Sequence, residues 1–392
     1  MSPENVNVVD VGRRLRIARE AAGMTQAHAA ANINAARTTL VAIEKGQRTV
    51  RFAELRPLAR LYGTSVNALL RRESVYTDLV PRFRKLPGSE DESSAEACRL
   101  LADLVRAEVE LENLLGITHP RNYPPERVLL PGDVCTQAEN DATELRHRLG
   151  LGLAPVRDLM SLLELDLGIR LYVRSLASQV SGLFAYDEKV GACMLLNASH
   201  SLGRRVQTAA HELGHLVSNR RSPDVQYRDV GENSREERYA NAFGRAFLIP
   251  ARTVMQRFRE VTRGASQLTR RHVILLAYTF GVSREALVRR LEELNLTKPG
   301  AWDWFQANGG ITNEQARQVL GDLEAAGREA REAKQPTTLR LSLLAAEAWR
   351  QELLSEGQLA RLLHLDRVQL REILDGVETE GVEADGAPKL PE

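Results

Sequence analysis

The sequence predicts a mainly α-helical protein with a small β-sheet, an α+β fold divided among several domains. The chain has 392 residues, which is more than one ordinary hydrophobic core accommodates. Apolar residues recur at helical spacing over most of its length, whereas residues 168–196 contain short apolar runs typical of strands. Its 43% hydrophobic and 27% charged residues are typical of globular proteins.

The first predicted domain, residues 1–86, is all α-helical. Residues 11–72 favour five short helices, with Thr25 capping the second and Gly46 closing the third, at about Ala35–Lys45. Residues 1–85 carry 15 Lys and Arg against 7 Asp and Glu. A helix, a tight turn and a second helix in a basic domain form the geometry that places a recognition helix in the major groove of DNA.

Three motifs in this domain resemble the XRE, or phage-repressor-like, helix-turn-helix family: M-T-Q, I-E-K-G-Q-R and L-x-x-L-A-R-L-Y-G-T-S. The resemblance implies base contacts from Arg37, Thr38 and Thr39, and phosphate contacts from Gln26, Lys45 and Arg48. The bound DNA could be duplex or single-stranded, and its binding specific or non-specific. A dimerisation or docking module is the alternative, because the alanines of the third helix leave few side chains that could bond to bases.

Residues 87–150 are predicted to connect two domains. Ser89–Ser94 is polar and acidic, as linkers are, and Ala95–Leu115 favours an amphipathic helix that contains Cys98. A proline-rich loop and a helix at about Thr136–Leu149 follow. Three widely spaced cysteines argue against a disulfide framework, and the sequence shows neither a signal peptide nor a run of about 18 apolar residues. We expect a cytoplasmic protein with no membrane contact.

The clearest chemical signal is H-E-x-x-H, which lies on an apolar helical stretch. Residues four apart share a helix face, so His211 and His215 can bind one metal ion while Glu212 lies beside its open side. Neutral imidazoles suit Zn²⁺, and an incomplete protein shell leaves room for a water whose pKa the metal lowers to about 7. Glu212 would carry the proton of that water to the leaving amine. Two histidines in a core helix, with a surface glutamate between them, are the alternative.

A second helix is expected to supply the third ligand. Residues 236–249 have helical spacing, and Pro250 ends the pattern. Glu237 lies one turn before Asn241, so Glu237 can bind the metal while Asn241 supports the site from the same face. For this reason we favour Glu237 over its neighbour Glu236.

Together these motifs resemble the ImmA/IrrE family of metallopeptidases. The resemblance rests on S-G-L-F at 181–184, M-L-L-N at 194–197, H-E-L-G-H, and E-R-Y-A-N-A-F-x-x-x-F-L-I-P at 237–250. It implies a gluzincin-like core at residues 151–265, with zinc on two histidines and one glutamate. It also implies cleavage of a helix-turn-helix repressor encoded nearby, which derepresses stress or defence genes. The family commonly has Ala where Gly244 lies, a difference that we expect to matter little for the chemistry.

Local sequence patterns predict the helices and strands of this core. Pro155–Leu165 favours a helix, Gly168–Val173 a strand, and Ser181–Tyr186 with Ala192–Leu196 a hairpin. In zinc peptidases of this kind, an edge strand beside the metal holds the substrate in extended form.

The remaining chain is predicted to be helical. Residues 266–376 are expected to form a C-terminal helical domain, with two amphipathic helices within Leu339–Leu374, and residues 377–392 a disordered acidic tail. Trp302, Trp304 and Phe305 are expected to pack between helices.

A protease that destroys a repressor needs a device that keeps it inactive. A cysteine thiolate could occupy the water position on zinc. Cys98 is the best placed, because it lies outside the catalytic core on a segment that a linker joins to the DNA-binding domain; an incidental buried cysteine is the alternative. His272 and Tyr239 are candidate oxyanion donors. Two other functions stay open: a DNA-binding transcriptional regulator whose peptidase fold is a sensor or scaffold, and an antitoxin-like regulator that binds a partner without cleaving it.

Overall fold

The computed structural model describes residues 8–64, 66, 69, 92–220, 224–227, 234–321 and 337–378. The chain divides into two compact units, Met1–Tyr76 and Thr77–Glu392. The predicted fold class, mainly helical with a small sheet, is confirmed. The finer boundaries at residues 150, 265 and 376 stay predictions.

The first unit contains four helices within its described residues: Val8–Ala21 (α1), Gln26–Asn32 (α2), Arg37–Glu44 (α3) and Phe52–Leu61 (α4). The hydroxyl of Thr25 caps α2 by accepting the backbone N–H of His28 at 3.2 Å. Leu15, Leu40 and Leu58 are buried in a common core. The fifth predicted helix falls largely outside the described residues.

Three predicted helices of the second unit have different bounds in the structure. Helix α5, Glu92–Leu115, begins three residues earlier than expected, so the predicted linker Ser89–Ser94 ends inside it. Helix α6 covers Val134–Arg148. Residues 155–158 are not helical, because Asp158 caps a turn that starts at Leu159 and continues as a π-helical turn at Leu162–Asp166.

A four-stranded sheet follows, in the order β1-β3-β2-β4. Its strands are Arg170–Arg174 (β1), Val180–Asp187 (β2), Gly191–Asn197 (β3) and Asp224–Tyr227 (β4). β2 and β3 form the predicted antiparallel hairpin, while β1 is parallel to β3 and β4 antiparallel to β2. Both hairpin strands therefore have partners on two sides. The edge beside the hairpin belongs to β4, which the sequence pattern did not indicate.

The sheet separates two helical layers. On one face, Leu171 and Met194 pack in one core with Leu213 of helix α7, Leu202–Ser218. On the other face, the hydroxyl of Tyr172 donates to Glu108 of α5. Alternation of side chains along a strand places α5 and α7 on opposite sides.

Helices complete the described part of the second unit. They are Arg235–Leu248 (α8), Ala251–Val261 (α9), Arg270–Phe280 (α10), Arg284–Glu293 (α11), Ala301–Ala307 (α12), Asn313–Leu320 (α13), Leu339–Arg350 (α14), Glu356–Leu362 (α15) and Arg367–Glu378 (α16). As expected, Phe305 is buried in the core that also holds α7, although Trp304 is exposed. The predicted tail begins inside α16, and residues 379–392 lie outside the described residues. Among the described helices, none has the length and apolar character needed to cross a bilayer.

Candidate metal centre

Helices α7 and α8 cross with their backbones in contact, and two glycines permit this. A Cβ added to Gly214 would lie 2.8 Å from the Cα of Ala240, and one added to Gly244 would lie 3.0 Å from the backbone nitrogen of His211. Both separations are shorter than the 3.4–4 Å of ordinary contacts. Gly244 therefore matters for the packing of the histidine-bearing turn, a role not expected from the sequence.

This crossing brings His211, His215 and Glu237 together. The two histidine Nε2 atoms are 3.0 Å apart, and carboxylate oxygens of Glu237 lie 3.5 Å from Nε2 of His211 and 3.3 Å from Nε2 of His215. Zinc bonds of about 2.0–2.1 Å at tetrahedral angles place ligand atoms about 3.3 Å apart. The type and spacing of these donors therefore suit one zinc ion.

Neighbouring side chains fix these donors. The hydroxyl of Ser234 accepts the backbone N–H of Glu237 at 3.1 Å and so caps α8 at the turn that carries the carboxylate. Nδ1 of His211 lies 2.9 Å from Oδ1 of Asn241. With an oxygen as its partner, Nδ1 carries the proton, which leaves Nε2 as the ligand atom. This is the support that we expected from Asn241.

The electrostatics favour metal-binding forms. Burial, and then the neighbouring imidazole of His215, lower the pKa of His211, which keeps the ring neutral. Interaction with the neighbouring His215 imidazole lowers the pKa of Glu237, which keeps the carboxylate ionised. Glu212 lies between the two histidines on α7 and is fully buried.

Three other side chains were candidates for a role at these donors. Cys98 is buried in α5, on the opposite side of the sheet from α7, and burial raises the pKa of its thiol to about 12, which disfavours the thiolate that zinc needs. Tyr239 donates to Asp141 of α6 at 2.8 Å. Nδ1 of His272 accepts the backbone N–H of Thr269 at 3.2 Å, at the start of α10. Each of the three side chains therefore has these contacts or surroundings elsewhere, and their expected roles at the zinc stay predictions.

A second group of donors, Glu108, Glu112 and His119, is also close enough to hold an ion. The guanidinium groups of two arginines, Arg170 and Arg340, bind these carboxylates instead. Arg170 bonds to Glu112 at 2.9 and 2.7 Å and to Glu108 at 2.8 Å, and Arg340 of α14 reaches Glu112 at 2.6 Å. Two guanidinium groups already neutralise the two carboxylates, so a metal cation is not favoured there. The sequence did not reveal this cluster, because Arg340 and Glu112 are 228 residues apart.

The six predicted DNA contacts lie on or beside α2 and α3: Gln26, Arg37, Thr38, Thr39, Lys45 and Arg48. Arg37, Thr38 and Lys45 are exposed, and the other three are partly buried. Gln26 donates to the buried Glu44 at 2.9 Å, and Arg48 pairs with Glu54 at 2.9 Å. The first turn of α3 therefore presents Arg37 and Thr38 to solvent, whereas Thr39 is partly buried. Intramolecular bonds hold two of the predicted phosphate contacts, Gln26 and Arg48.

Comparison with known proteins agrees with both resemblances. Residues 10–72 match the family model of a helix-turn-helix domain, and residues 165–292 match that of the IrrE N-terminal-like domain. The chain carries a helix-turn-helix domain followed by an IrrE-like peptidase domain. The peptidase match supports a metallopeptidase-type enzyme with a protein substrate, and the helix-turn-helix match supports DNA binding. Together they indicate a regulator or a repressor-cleaving protease.

No curated protein matches the chain. Among solved structures, the crystal structure of ComR from Streptococcus suis is matched at 10% identity over 96% of this chain and 95% of that chain, with a TM-score of 0.16.

Proposed function

We propose that the protein is a zinc-dependent endopeptidase that cleaves a helix-turn-helix transcriptional repressor in response to a DNA-linked stress signal, and so derepresses stress or defence genes. The proposal rests on the donor set of His211, His215 and Glu237. Their nitrogen and oxygen atoms are 3.0–3.5 Å apart, which suits one tetrahedral zinc ion. The family match over residues 165–292 and the helix-turn-helix match support the remainder.

Each side chain of the site would have a distinct role. When bound, zinc would polarise the scissile carbonyl and make a water molecule more acidic. His211 and His215 would hold the zinc ion through Nε2, and Glu237 through its carboxylate. The hydrogen bond to Asn241 keeps His211 in the tautomer that carries its proton on Nδ1. The Glu212 carboxylate would accept a proton from the water and return it to the leaving amine.

A pair of adjacent glutamates tests the ligand assignment. Glu237→Gln should lower the zinc content of the purified protein, because a neutral amide is a poorer ligand than a carboxylate. Glu236→Gln changes the same chemistry one residue away and should retain zinc at the wild-type level. Equal zinc content in the two variants would reject Glu237 as the third ligand.

The peptidase activity is tested with a purified helix-turn-helix repressor that is encoded nearby. The full-length protein, with zinc retained, is incubated with the repressor in the presence and absence of DNA, and cleavage is followed on a gel against Glu212→Gln. Cleavage that needs both Glu212 and DNA is expected. Absence of cleavage under every condition contradicts the peptidase function.

The rival function is a DNA-binding transcriptional regulator whose peptidase fold is a sensor or scaffold. It is favoured by the positions of Tyr239 and His272, the two proposed oxyanion donors, which bond elsewhere. A reporter strain separates the two functions, because a regulator should keep full control of its genes with Glu212→Gln, whereas a peptidase should lose it.

A further inference from the structure

Arginines are concentrated in α9 and at the start of α10. Residues 250–272 contain one acidic residue, Glu260, and six arginines: Arg252, Arg257, Arg259, Arg263, Arg270 and Arg271. The whole chain is nearly neutral, with 53 Lys and Arg against 52 Asp and Glu. Solvated helix faces usually carry both signs of charge, so this excess of one sign distinguishes α9 from an ordinary surface helix.

Two of the six arginines have partners within the fold. Arg257 pairs with Glu260 at 2.7 Å on the surface of α9. Arg270 donates to the backbone oxygen of Gly310 at 2.8 Å. The other four are exposed, and within the part of the chain that the structure describes they bond to no carboxylate: Arg252, Arg259, Arg263 and Arg271.

The packing of α9 directs three of these arginines to solvent. Val254 is buried and Phe258 packs against the same core, so one side of the helix faces the interior. Arg252 and Arg259 are seven residues apart, which places them on the opposite side, about 10 Å apart along the helix axis. Arg263 follows directly after the end of the helix. We name Arg252, Arg259 and Arg263 the arginine stripe.

The stability of the helices does not explain all of these positions. A cation is favourable near the C-terminus of a helix, where Arg259 lies, but unfavourable near the N-terminus. Arg252 is the second residue of α9 and Arg271 is the second residue of α10, so both lie at the unfavourable end. An anion bound from outside the molecule would offset this cost.

DNA is the polyanion that the observations favour. The helix-turn-helix match over residues 10–72 already indicates DNA as a partner of this chain. Guanidinium groups bind phosphates through paired N–H donors. The spacing of about 10 Å between Arg252 and Arg259 equals three phosphate steps of about 3.4 Å along one DNA strand. The aromatic residue of α9, Phe258, packs against the core, so this helix offers contacts to phosphates rather than a ring for base stacking.

We propose that the arginine stripe binds the phosphate backbone of DNA and gives the second unit a nucleic-acid contact of its own, in addition to that of the helix-turn-helix. The contact does not depend on base sequence, because phosphates carry no sequence information. It also does not depend on whether the chain cleaves a repressor. Glu237 lies in the first turn of α8, about 16 Å along the helix axis from the end that precedes α9, so changes to the stripe should leave the zinc donors in place.

Fluorescence anisotropy with a labelled duplex of mixed sequence tests this contact in the full-length protein. All proteins carry Arg37→Ala with Lys45→Ala, which weakens the predicted contact of the helix-turn-helix. Adding Arg252→Ala with Arg259→Ala should weaken binding at least about 10-fold at low salt. It should also lower the slope of log K against log salt concentration by about 2, because each lost phosphate contact removes about 0.9. With a single strand of the same length the slope should fall by about 1.4, because each contact contributes about 0.7.

The matched control is Arg317→Ala with Arg350→Ala in the same background. It removes the same charge from two exposed arginines that pair with Glu314 and Glu347. This control should keep the salt slope of the background protein. Both variants should keep its zinc content and unfolding midpoint, so that a loss of DNA binding reports on the contact and not on the fold.

Three results overturn the proposal. The first is a background protein that binds neither DNA probe although its arginine stripe is intact. The second is an equal salt slope in the stripe variant and the control. The third is an affinity for polyglutamate that the stripe variant loses while its affinity for both DNA probes is unchanged, which would assign the stripe to an acidic protein.

Discussion

Adding one methyl group at the crossing of α7 and α8 should lower the zinc affinity strongly while changing the free energy of unfolding only a little. In Gly214→Ala, the new Cβ would lie 2.8 Å from the Cα of Ala240. Ordinary contact of 3.4–4 Å requires the helices to part by roughly 0.6–1.2 Å. Because Glu237 lies one turn before Ala240 and His215 directly follows Gly214, this movement widens their 3.3 Å separation beyond the reach of one zinc ion.

The expected loss of affinity is large, whereas the change in stability is small. Overpacking costs about 1–3 kcal/mol of unfolding free energy, and replacing a helical glycine with alanine returns about 1 kcal/mol. We expect a net loss of about 0–2 kcal/mol and zinc affinity reduced at least about 10-fold. Competition with a chromophoric chelator measures the affinity, and denaturant unfolding measures the stability.

The matched control is Gly357→Ala, at a helical glycine whose added Cβ would meet nothing within 4 Å. It should keep wild-type zinc affinity and gain up to about 1 kcal/mol of stability. Wild-type zinc affinity in Gly214→Ala would refute the argument that close helix contact sets the spacing of the ligands.

Three further predictions concern single side chains. Asn241→Ala frees Nδ1 of His211 and should lower zinc affinity about 10–100-fold in the same competition assay, while an unchanged affinity would exclude the supporting role. Burial raises the pKa of Glu164 from 4.5 to about 7, so folding retains a proton that the unfolded chain releases, and stability falls as pH rises from about 4.5 to about 7. Glu164→Gln should remove this decline of about 3 kcal/mol, seen in unfolding midpoints between pH 5 and 8; an unchanged pH slope would contradict it. Tyr239→Phe should cost about 1 kcal/mol of stability and leave the cleavage rate unchanged, whereas a large fall in rate would return Tyr239 to the oxyanion.

Local features of the site could be predicted from the sequence, because they depend on residues within one or two helical turns. The spacing of His211 and His215 and the shared face of Glu237 and Asn241 follow from helix geometry. The cap at Thr25 follows from its side chain and the helical pattern after it. These features need no knowledge of how distant elements pack.

Features that depend on packing between distant elements could not be predicted in this way. Strand β4 is a short segment whose pairing with β2 is non-local. The contact at Gly244 exists only because α8 crosses α7 there. Cys98 seemed well placed by its position in the chain, but the sheet lies between it and the histidines.

The turn between α15 and α16 repeats the turn between α2 and α3, and the sequence does carry a local signal for it. Ser355 precedes a helix of seven residues, and Leu359-Ala360 takes the place of Ala29-Ala30 before a turn and another helix. The repeated backbone geometry itself is seen only in the structure, where His364 and Asn34 have the same φ of 53°.

The arginine-filled cluster has a consequence for any attempt to isolate the peptidase. The family match begins at residue 165 and ends at residue 292, but the buried Arg170 takes its carboxylate partners from Glu108 and Glu112, before that range. A fragment cut at the limits of the match would lose both carboxylate partners of this guanidinium together with helix α5, and so would expose the face of the sheet that α5 covers. Arg340, beyond the match, holds the same carboxylates from the other side. The smallest piece that can be expressed, or exchanged between proteins as a module, is therefore longer than the segment that sequence similarity marks, and it includes both α5 and α14.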